Sequence, residues 1–313
     1  MRPAAVTVEA RAKLNLSLAI GPRRRDGFHE LATIFQSISL ADTLHAVRRR
    51  SGFGLEIGYQ NAAARGQPGV ERLPADPSNL VLRAARVFAE HHAVTGGARF
   101  RLTKRIPSGT GLGGGSADAA AALVALRALL RPDLTRCDLL ALAAAIGADV
   151  PLSLTGGTAV GTGRGEILAP TTLDHGFRAI LAVPEWRMST RNAYRRFDRL
   201  KYSLTGWRAN LRSARSVAHR RTSLERALSQ GNGFEAALGT RRPALESLRS
   251  RLLEAGVTQA RMTGSGSAMF GILPAGAPAR AVAARFRGHE ALYLVHSTRA
   301  GVRLRTRHDR GRW

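Results

Sequence analysis

Five closely spaced glycines stand directly before a long run of strong helix formers. The segment reads PSGTGLGGGSADAAAALVALRALL and covers residues 107–130, with glycines at 109, 111, 113, 114 and 115. Glycines at this density let the backbone turn several N–H groups to one side and come close to a ligand. A helix that starts near Ser116 adds the positive end of its dipole. The segment therefore predicts a cradle for a phosphate chain rather than a flexible surface loop.

This glycine loop fits neither of the two commonest phosphate-binding motifs. A P-loop has a lysine after its last glycine, whereas Ser116 follows Gly115 here. The dinucleotide-binding fingerprint requires an acidic residue at the end of a following parallel strand, and the pattern offers none. The loop therefore predicts phosphate binding of a different kind.

Length and composition limit the class of protein. The 313 residues are enough for two domains, and 44% of them are hydrophobic, which excludes a wholly disordered chain. The longest apolar stretches, 119–126 and 139–148, are too short for a membrane-spanning helix, and the first residues lack the apolar centre of a signal peptide. The single cysteine, Cys137, excludes an intrachain disulfide and a cysteine-only metal site. We expect a cytoplasmic protein that does not associate with membranes.

The chain is strongly basic, with 48 Lys and Arg against 22 Asp and Glu and a net charge of +26. Only Lys13, Lys104 and Lys201 are lysines. Such an excess suits nucleic-acid binding or a polyanionic substrate. It also fits a genome whose base composition favours Arg and Ala codons, because the arginines are scattered along the chain. Aromatic residues are only 5% and no nucleic-acid-binding module is recognisable, so a specific nucleic-acid partner is not expected.

Hydrophobic periodicity predicts a mixed chain of strands and helices. Strands are expected at 5–20, 28–40, 42–48, 53–59, 98–105, 157–169, 178–184, 257–262, 268–273 and 291–296. Helices are expected at 79–94 with Ser78 as its N-cap, after the glycine loop, and at 135–147, 222–230, 242–255 and 277–287. Residues 60–77 are expected to form a loop, and the last fifteen residues, which hold six arginines, are expected to fray.

The segment PSGTGLGGGSADAA resembles the phosphate-binding loop of the GHMP kinases. Other motifs match one branch of that family and fall in its order along the chain, from residue 12 to residue 270: AKLNLSL at 12–18, RRRDGFHEL at 23–31, GADVPLSLTGG at 147–157, GRGE at 163–166 and RMTGSGSAMF at 261–270. That branch phosphorylates the 2-hydroxyl of a methylerythritol that carries a cytidine diphosphate group, in the non-mevalonate route to isoprenoids.

The resemblance implies an α+β fold of two domains with the active site in the cleft between them. The first would be ribosomal-protein-S5-like and the second ferredoxin-like. We expect them at residues 1–170 and 171–300, followed by a basic tail at 301–313. The implied ligands are ATP, Mg²⁺ and a small molecule with a cytidine diphosphate group. No dedicated metal cage is visible in the sequence, which suits Mg²⁺ bridged by nucleotide phosphates. The protein is expected to be a monomer or a homodimer.

The resemblance also implies residue roles. Lys13 and Asp149 match the catalytic pair, and Asn15, Phe28 and His29 match positions of the cytidine pocket. Thr190 and Tyr194 match residues of the second domain near the same ligand, although a shifted alignment there would place Phe197 or Trp186 instead of Tyr194. The TGSGS turn at 263–267 matches one that closes over the phosphates. The ATP loop comprises Pro107, Ser108, Gly109, Thr110, Gly111, Leu112, Gly113, Gly114, Gly115, Ser116 and Ala117.

Two residues depart from the family pattern. Phe28 stands where the family often has tyrosine, so a hydroxyl is lost while a stacking face remains. Ala117 stands where the family often has a second serine, so Ser116 alone supplies a hydroxyl near the phosphates. Two other interpretations stay open: a GHMP kinase that acts on a different small alcohol, and a nucleic-acid-binding protein that uses the basic surface.

Overall fold

The structure is a computed structural model and describes residues 2–60, 73–200 and 205–305. In these ranges the chain forms an eight-stranded and a four-stranded sheet. The strands are β1 (Ala5–Arg23), β2 (His29–Arg49), β3 (Phe53–Tyr59), β4 (Gly97–Lys104), β5 (Thr158–Gly163), β6 (Ile167–Leu173), β7 (Arg178–Val183), β8 (Arg221–Thr222), β9 (Gln259–Met262), β10 (Met269–Ile272), β11 (Ala291–His296) and β12 (Val302–Arg305).

Helices cover both sheets. They are α1 (Leu80–His91), α2 (Gly114–Leu130), α3 (Arg136–Ile146), α4 (Val150–Thr155), α5 (Thr190–Arg199), α6 (Thr205–Ser216), α7 (Leu224–Leu228), α8 (Arg242–Glu254) and α9 (Ala279–Arg285), with 3₁₀ turns at Gly233–Ala237 and Gly239–Arg241. None of the helices within the described ranges is both long and apolar enough to cross a membrane.

The first sheet is built around the antiparallel pair β1 and β2. Its strand order is β12-β1-β2-β5-β6-β8, and β4 pairs with both β2 and β3. Helix α2 lies across β1 and β2 and also contacts α1, α3 and α4. Its alanine-rich sequence is apolar on nearly every side, which is the pattern of a helix buried all round. Small side chains there allow the sheet and three helices to approach α2 closely.

Helix α1 is capped one residue later than expected. Asn79 is the N-cap and its Oδ1 accepts a hydrogen bond from the Val81 N–H at 2.9 Å. The expectation of Ser78 is wrong, because the Ser78 hydroxyl donates to Asp76 Oδ1 at 2.6 Å. Asparagine and serine are about equally good N-caps, so the sequence alone could not choose between neighbours.

The second sheet has the ferredoxin-like order. Its strands run β11-β7-β10-β9, all antiparallel, with helices between β7 and β9 and helix α9 between β10 and β11. In chain order this is a β-α-β-β-α-β unit with the first strand in the interior. Its separate hydrophobic core includes Met262, Met269 and Leu252. The chain passes from the first sheet to the second between Leu173 and Arg178, a few residues after the expected division at 170.

The chain returns to the first sheet twice. Strand β8 pairs with β6, and β12 pairs with β1 in the register Thr7↔Arg305 to Ala10↔Val302. The expected fraying of the last fifteen residues is therefore wrong for Val302–Arg305, because backbone pairing with β1 orders them. The rest of the expected tail, 306–313, and most of the expected loop at 60–77 lie outside the described residues.

Several strand and helix boundaries differ from those that hydrophobic periodicity predicts. The strands expected at 28–40 and 42–48 are one continuous strand, and the strand expected at 157–169 is two, β5 and β6. A tight turn between β5 and β6 separates them, with Gly163 at φ +70° and Gly165 at φ +103°. Helices α4, α5 and α6 were not predicted. In α5 and α6 the many arginines obscured an amphipathic pattern whose buried side carries Ala193, Phe197 and Trp207.

We expect Gly301→Ala to destabilise the fold by about 1–3 kcal/mol, the usual cost of overpacking. A Cβ at Gly301 would lie 2.0 Å from the Ser153 carbonyl oxygen, so the residues before β12 would have to move away from α4. Gly54→Ala in β3 is the matched control, because no described atom lies within 4 Å of its Cβ position. Urea denaturation measures both variants, and equal stability of the two would contradict this account of how the chain returns.

Candidate active site

A large cleft lies between the two sheets. Its volume is about 910 Å³. The lining includes the middle of β1, the first residues of β2, the glycine loop, the residues just before α4, the first turn of α5 and the second glycine turn. All residues that the resemblance assigns individually, except Ala117, line this cleft, and the TGSGS turn contributes Gly264 and Ser265. Phe197 and Trp186, the alternatives to Tyr194, are not among the lining residues.

The open edge of β1 organises the cleft. Strand β12 covers this edge only as far as Ala10, and single residues from other parts of the chain cover the rest. The Lys13 N–H donates to the Leu112 carbonyl of the glycine loop at 3.0 Å. The Asn15 N–H donates to Thr263 Oγ1 of the second glycine turn at 2.9 Å. One strand edge therefore holds two glycine turns that come from different halves of the chain.

Lys13 faces Asp149 across the cleft. The register between β1 and β2 shifts after Arg11 and again after Asn15, so Lys13 lies in a short segment between two irregularities. Bulges of this kind re-aim side chains and are common beside active sites. The buried Lys13 Nζ lies 3.6 Å from Asp149 Oδ2. The same Nζ donates to Asn15 Oδ1 at 2.6 Å, and this bond fixes its position.

Asn15 connects this lysine to the sheet. Its Nδ2 donates to Thr33 Oγ1 at 2.8 Å, and Thr33 Oγ1 donates to the Ser17 carbonyl at 2.6 Å. All of these groups are buried. A chain of satisfied buried hydrogen bonds is rigid, because each broken bond would leave a desolvated polar group. Asn15 therefore orients Lys13 as well as lining the cleft.

Asp149 occupies the N-cap position of α4 but does not cap it. Its side chain accepts no hydrogen bond from the helix, and its carbonyl accepts from both N–H and Oγ of Ser153 at 3.1 Å. Pro151 in the first turn removes one N–H that would otherwise need an acceptor. The carboxylate is about one-third exposed and lies free in the cleft beside Lys13.

The glycine loop has the geometry of an anion cradle. Gly109, Gly111 and Gly113 have φ of +66°, +83° and +72°, which favour glycine. The first backbone bond of α2 runs from the Ala117 N–H to the Gly113 carbonyl at 3.0 Å. The N–H groups of residues 114–116 thus have no acceptor within the helix and lie at its positive end. The loop can bind phosphate oxygens through backbone groups alone.

The second glycine turn packs directly on the first. A Cβ at Gly111 would lie 2.3 Å from the Thr263 carbonyl oxygen, and one at Gly264 would lie 2.8 Å from the Gly111 Cα. The Ala268 N–H donates to the Thr110 carbonyl at 3.2 Å. Glycine at both positions is therefore a requirement of this contact. The TGSGS turn therefore lies beside the loop that we expect to bind the phosphates, and its closure over them stays a prediction.

Two side chains hold the second turn in place. Asn232 Nδ2 donates to the carbonyls of Met262 at 3.0 Å and Gly264 at 2.9 Å. Thr190 Oγ1 lies 3.0 Å from Ser265 Oγ, which links the start of α5 to the turn. Thr190 thus lines the cleft as expected and also joins two of its walls.

Phe28 lies at the far end of the cleft from the glycine loop. It follows the turn between β1 and β2 and is 53% exposed, which is unusual for a phenylalanine. The Arg164 guanidinium carbon lies 5.1 Å from the centre of its ring, within the range of a cation–π contact. The backbone N–H of Arg164 donates a hydrogen bond to Glu166 Oε2 at 2.6 Å, which fixes the position of Arg164. Phe28 therefore presents an aromatic face that the protein itself covers only in part.

His29 lines the cleft and is held there by two hydrogen bonds. Its Nδ1 donates to the Gly21 carbonyl at 2.9 Å, and its Nε2 lies 2.8 Å from Asp198 Oδ1 of α5. Both ring nitrogens are therefore engaged by protein oxygens, and the ring cannot read the edge of a base without breaking one of these bonds. Asp198 joins the turn between β1 and β2 to α5.

Tyr194 stacks on His29. The ring centres are 5.3 Å apart with an angle of 18° between the planes. Burial, together with the nearby Asp149 carboxylate, raises the pKa of the Tyr194 hydroxyl. Tyr194 therefore stays neutral and brings α5 close to the Lys13–Asp149 pair. His29 already covers one of its faces, so at most one face remains for a ligand.

Three residues to which the sequence gave no role belong to the site or support it: Arg164, Asn232 and Lys104. Arg164 lies within GRGE, one of the motifs that carried the resemblance, so this motif was the available signal. Lys104 is one of only three lysines, and this scarcity could have marked it. Asn232 had no signal in the sequence, because only the folded chain brings it to the second glycine turn.

Comparison with known proteins identifies two family models in this chain. The GHMP kinases N terminal domain matches residues 79–157, and the GHMP kinases C terminal model matches residues 209–290. Together they include the glycine loop, Asp149 and the second glycine turn. The α+β fold of two domains predicted from the sequence is confirmed.

Individual relatives match over most of the chain. The chain is 36% identical over 293 residues to the 4-diphosphocytidyl-2-C-methyl-D-erythritol kinase of Pelotomaculum thermopropionicum, covering 94% of this chain and 98% of that relative. It is 44% identical over 195 residues to the enzyme of the same name from Leifsonia xyli, which covers 62% of this chain and 61% of that relative. A crystal structure of 4-(cytidine 5'-diphospho)-2C-methyl-D-erythritol kinase superposes with a TM-score of 0.69 at 35% identity, over 93% of this chain and 98% of that one.

We expect Gly113→Val to weaken binding of a non-hydrolysable ATP analogue by roughly 5–100-fold, the scale of the strain at a left-handed residue. Its Cβ would also lie 2.9 Å from Lys13 Cγ. Gly114→Val should weaken binding less, because Gly114 has helical backbone and the nearest atoms to its Cβ would be side-chain atoms, Ile106 Cγ2 at 3.0 Å and Lys104 Nζ at 3.4 Å. Isothermal titration compares the two, and unchanged affinity in Gly113→Val would place the phosphates elsewhere.

Proposed function

The chain belongs to the GHMP kinase family, among its 4-diphosphocytidyl-2-C-methyl-D-erythritol kinases, and from this premise we propose the reaction and the roles of its residues. The reaction is transfer of the γ-phosphoryl group of ATP to the 2-hydroxyl of 4-diphosphocytidyl-2-C-methyl-D-erythritol, a step in isoprenoid precursor synthesis. The observation that carries the proposal is the pairing of Lys13 Nζ with Asp149 Oδ2 at 3.6 Å beside the glycine loop.

The glycine loop binds the triphosphate of ATP. The free N–H groups of residues 114–116 and the positive end of α2 favour phosphate oxygens. Leu80 packs next to the loop, because its Cδ1 lies 3.3 Å from the position that a Cβ at Gly115 would occupy. It gives this side of the loop an apolar wall. Leu73 and Ile146 also line the cleft. These side chains form the wall for the adenine ring.

Lys13 and Asp149 act on the acceptor hydroxyl. Phosphoryl transfer is mainly a matter of positioning and charge stabilisation. The Asp149 carboxylate accepts the proton of the attacking hydroxyl. The Lys13 ammonium, oriented by Asn15, holds the attacking oxygen and offsets the negative charge of the transferring phosphoryl group. The hydroxyl proton thus ends on Asp149 and the phosphoryl group on the acceptor oxygen.

The residues present fit Mg²⁺ bound mainly through nucleotide phosphates. Within the described ranges, no group of three or more His, Cys, Asp or Glu side chains could hold a metal ion. The Ser116 hydroxyl at the start of α2 has no hydrogen-bond partner among the described residues and is available as a ligand. Mg²⁺ prefers oxygen ligands and usually keeps phosphate and water ligands rather than an all-protein cage. When bound, it would neutralise phosphate charge during transfer.

The cytidine group lies against Phe28. The exposed ring of Phe28 provides a stacking face, and Tyr194 provides a second aromatic wall from α5. The side chain of His29 orients Tyr194 and the turn before Phe28, and neighbouring backbone groups read the base edge. Arg164 lies close enough to Phe28 to add positive charge near the diphosphate.

Neither alternative has comparable support. A GHMP kinase for another small alcohol would share the glycine loop and the Lys13–Asp149 pair, but would not need an exposed aromatic at residue 28. Nucleic-acid binding rests on the net charge of +26. A cytoplasmic location stays a prediction.

A substrate panel tests the function. ATP consumption is measured with the cytidine diphosphate substrate, mevalonate, homoserine and galactose in parallel. We expect turnover with the cytidine substrate and little with the other three. If the enzyme preferred one of the other alcohols, it would still be a GHMP kinase, but the proposed substrate would be wrong. Saturable nanomolar DNA binding without kinase activity would favour the nucleic-acid alternative.

We expect Lys13→Ala and Asp149→Asn each to lower turnover by about 10²–10⁴-fold, the scale of a positioned acid–base group. Binding of ATP should change little, because neither side chain belongs to the cradle. Asp133→Asn, an exposed carboxylate outside the cleft, is the control and should keep full activity. Steady-state kinetics decides, and activity within a few-fold of the parent in either variant would refute the assignment.

We expect Phe28→Ala to raise the KM for the cytidine substrate by roughly 5–100-fold, by the energy of one base–aromatic stack. The KM for ATP should stay nearly constant, because Phe28 lies away from the glycine loop. Phe28→Tyr is the matched control and should be close to neutral. The kinetics are accompanied by inhibition with CMP and UMP, and equal inhibition by the two nucleotides would mean that the base pocket lies elsewhere.

A further inference from the structure

A buried cluster of three ionisable residues lies beneath the glycine loop. We call Asp42, Lys104 and Asp118 the ion cluster; their exposed fractions are 0%, 5% and 3%. Charged side chains are rarely buried to this extent, because desolvation is costly unless each one is paired. The catalytic roles proposed above use none of the three.

The contacts of the ion cluster centre on Lys104. Its Nζ donates to Asp118 Oδ2 at 2.6 Å and also to Asp42 Oδ2. The second oxygen of Asp42, Oδ1, accepts from the Ile106 N–H at 2.9 Å and from the Arg105 N–H. Asp42 thus holds both the lysine and the backbone that follows it.

The cluster joins the two ends of the glycine loop. Lys104 is the last residue of β4, just before the loop begins, and Asp118 is the fifth residue of α2, just after it ends. A Cβ at Gly114 would lie 3.4 Å from Lys104 Nζ and 3.0 Å from Ile106 Cγ2. The first turn of α2 therefore rests directly on the lysine, and its position depends on where the lysine is held.

We propose that Asp118 is a positioning residue for the ATP phosphates. Asp118 accepts a hydrogen bond from Lys104, and Asp42 anchors the same lysine to β2. These contacts set the distance between the two ends of the glycine loop and so orient the N–H groups at the start of α2 toward the phosphates. The inference rests on the proposed function, because it assumes that this loop binds ATP. Asp118 does not touch the nucleotide in this account. It acts through Lys104 and the backbone.

The ion cluster holds more carboxyl groups than cations. Two carboxyl groups share one ammonium group, and Asp118 Oδ1 has no hydrogen-bond partner among the described residues. Burial raises the pKa of Asp118, while Lys104 opposes this shift. The hydrogen bond from Lys104 needs only an acceptor oxygen at residue 118. The charged groups that face it are Lys104 on β4 and Asp42 on β2.

Two variants of Asp118 separate the hydrogen bond from the charge. Asp118→Ala removes the bond and leaves Lys104 balanced by Asp42, so the fold should survive. Asp118→Asn keeps an amide oxygen that can accept from Lys104. Isothermal titration with a non-hydrolysable ATP analogue should show roughly 3–30-fold weaker binding for Asp118→Ala, the usual range of coupling between contacting residues. Asp118→Asn should bind within about threefold of the parent.

Kinetics and a stability control complete the test. In Asp118→Ala the KM for ATP should rise while the KM for the alcohol and kcat at saturating ATP change little. Leu252→Ala, a buried change in α8 far from the loop, should lower the melting temperature without weakening ATP binding. Unchanged affinity in Asp118→Ala, or equal loss in both Asp118 variants, would overturn the inference. If the parent itself failed to bind the analogue, the proposed function would fall instead.

Discussion

The uncovered edge of β1 is the feature on which the rest of the cleft depends. Beyond Ala10 this edge no longer has a strand beside it, and its N–H groups bond to Leu112 of the glycine loop and Thr263 of the second glycine turn. Buried N–H groups need acceptors, so the two turns are fixed to the same strand and to each other. The side chains of Lys13 and Asn15 project from this stretch. The strand that carries the lysine also holds the glycine loop, and the distance between them is set by backbone hydrogen bonds.

Charge within the cleft is organised quite differently from charge on the surface. The net charge of +26 comes from arginines scattered along the chain, and many of their ion pairs are exposed and contribute little stability. In and beneath the cleft, by contrast, Lys13 and Lys104 are buried and each has a carboxylate partner. A lysine is a compact point charge on a flexible stem, whereas the guanidinium group is larger and planar. This difference gives a physical reason for lysine at these two positions in a chain that otherwise uses arginine.

Particular residues show how far sequence reasoning reached in the site. Lys13 and Asp149 were assigned through short motifs that resemble a known family, and the glycine loop was predicted from its own glycines and the helix formers after them. His29, which the resemblance places in the cytidine pocket, lines the cleft, but its ring contacts Gly21 and Asp198, and Asp198 is 169 positions away in the chain. Asn232 reaches the second glycine turn from 30 residues away and left no pattern in the sequence. Contacts between distant residues depend on packing, and neither periodicity nor composition reports them.

The sequence by itself determined the glycine cradle, the buried helix after it and the α+β character of the chain. These features follow from local chemistry: glycines that permit positive φ, alanines that favour a helix buried all round, and alternating residues that favour strands. Tertiary structure alone decided that β12 returns to β1, that the two glycine turns touch, and that Lys104 is held between Asp42 and Asp118. Each of these pairings joins residues far apart in sequence, and it forms because buried backbone and charged groups must find partners once the core excludes water.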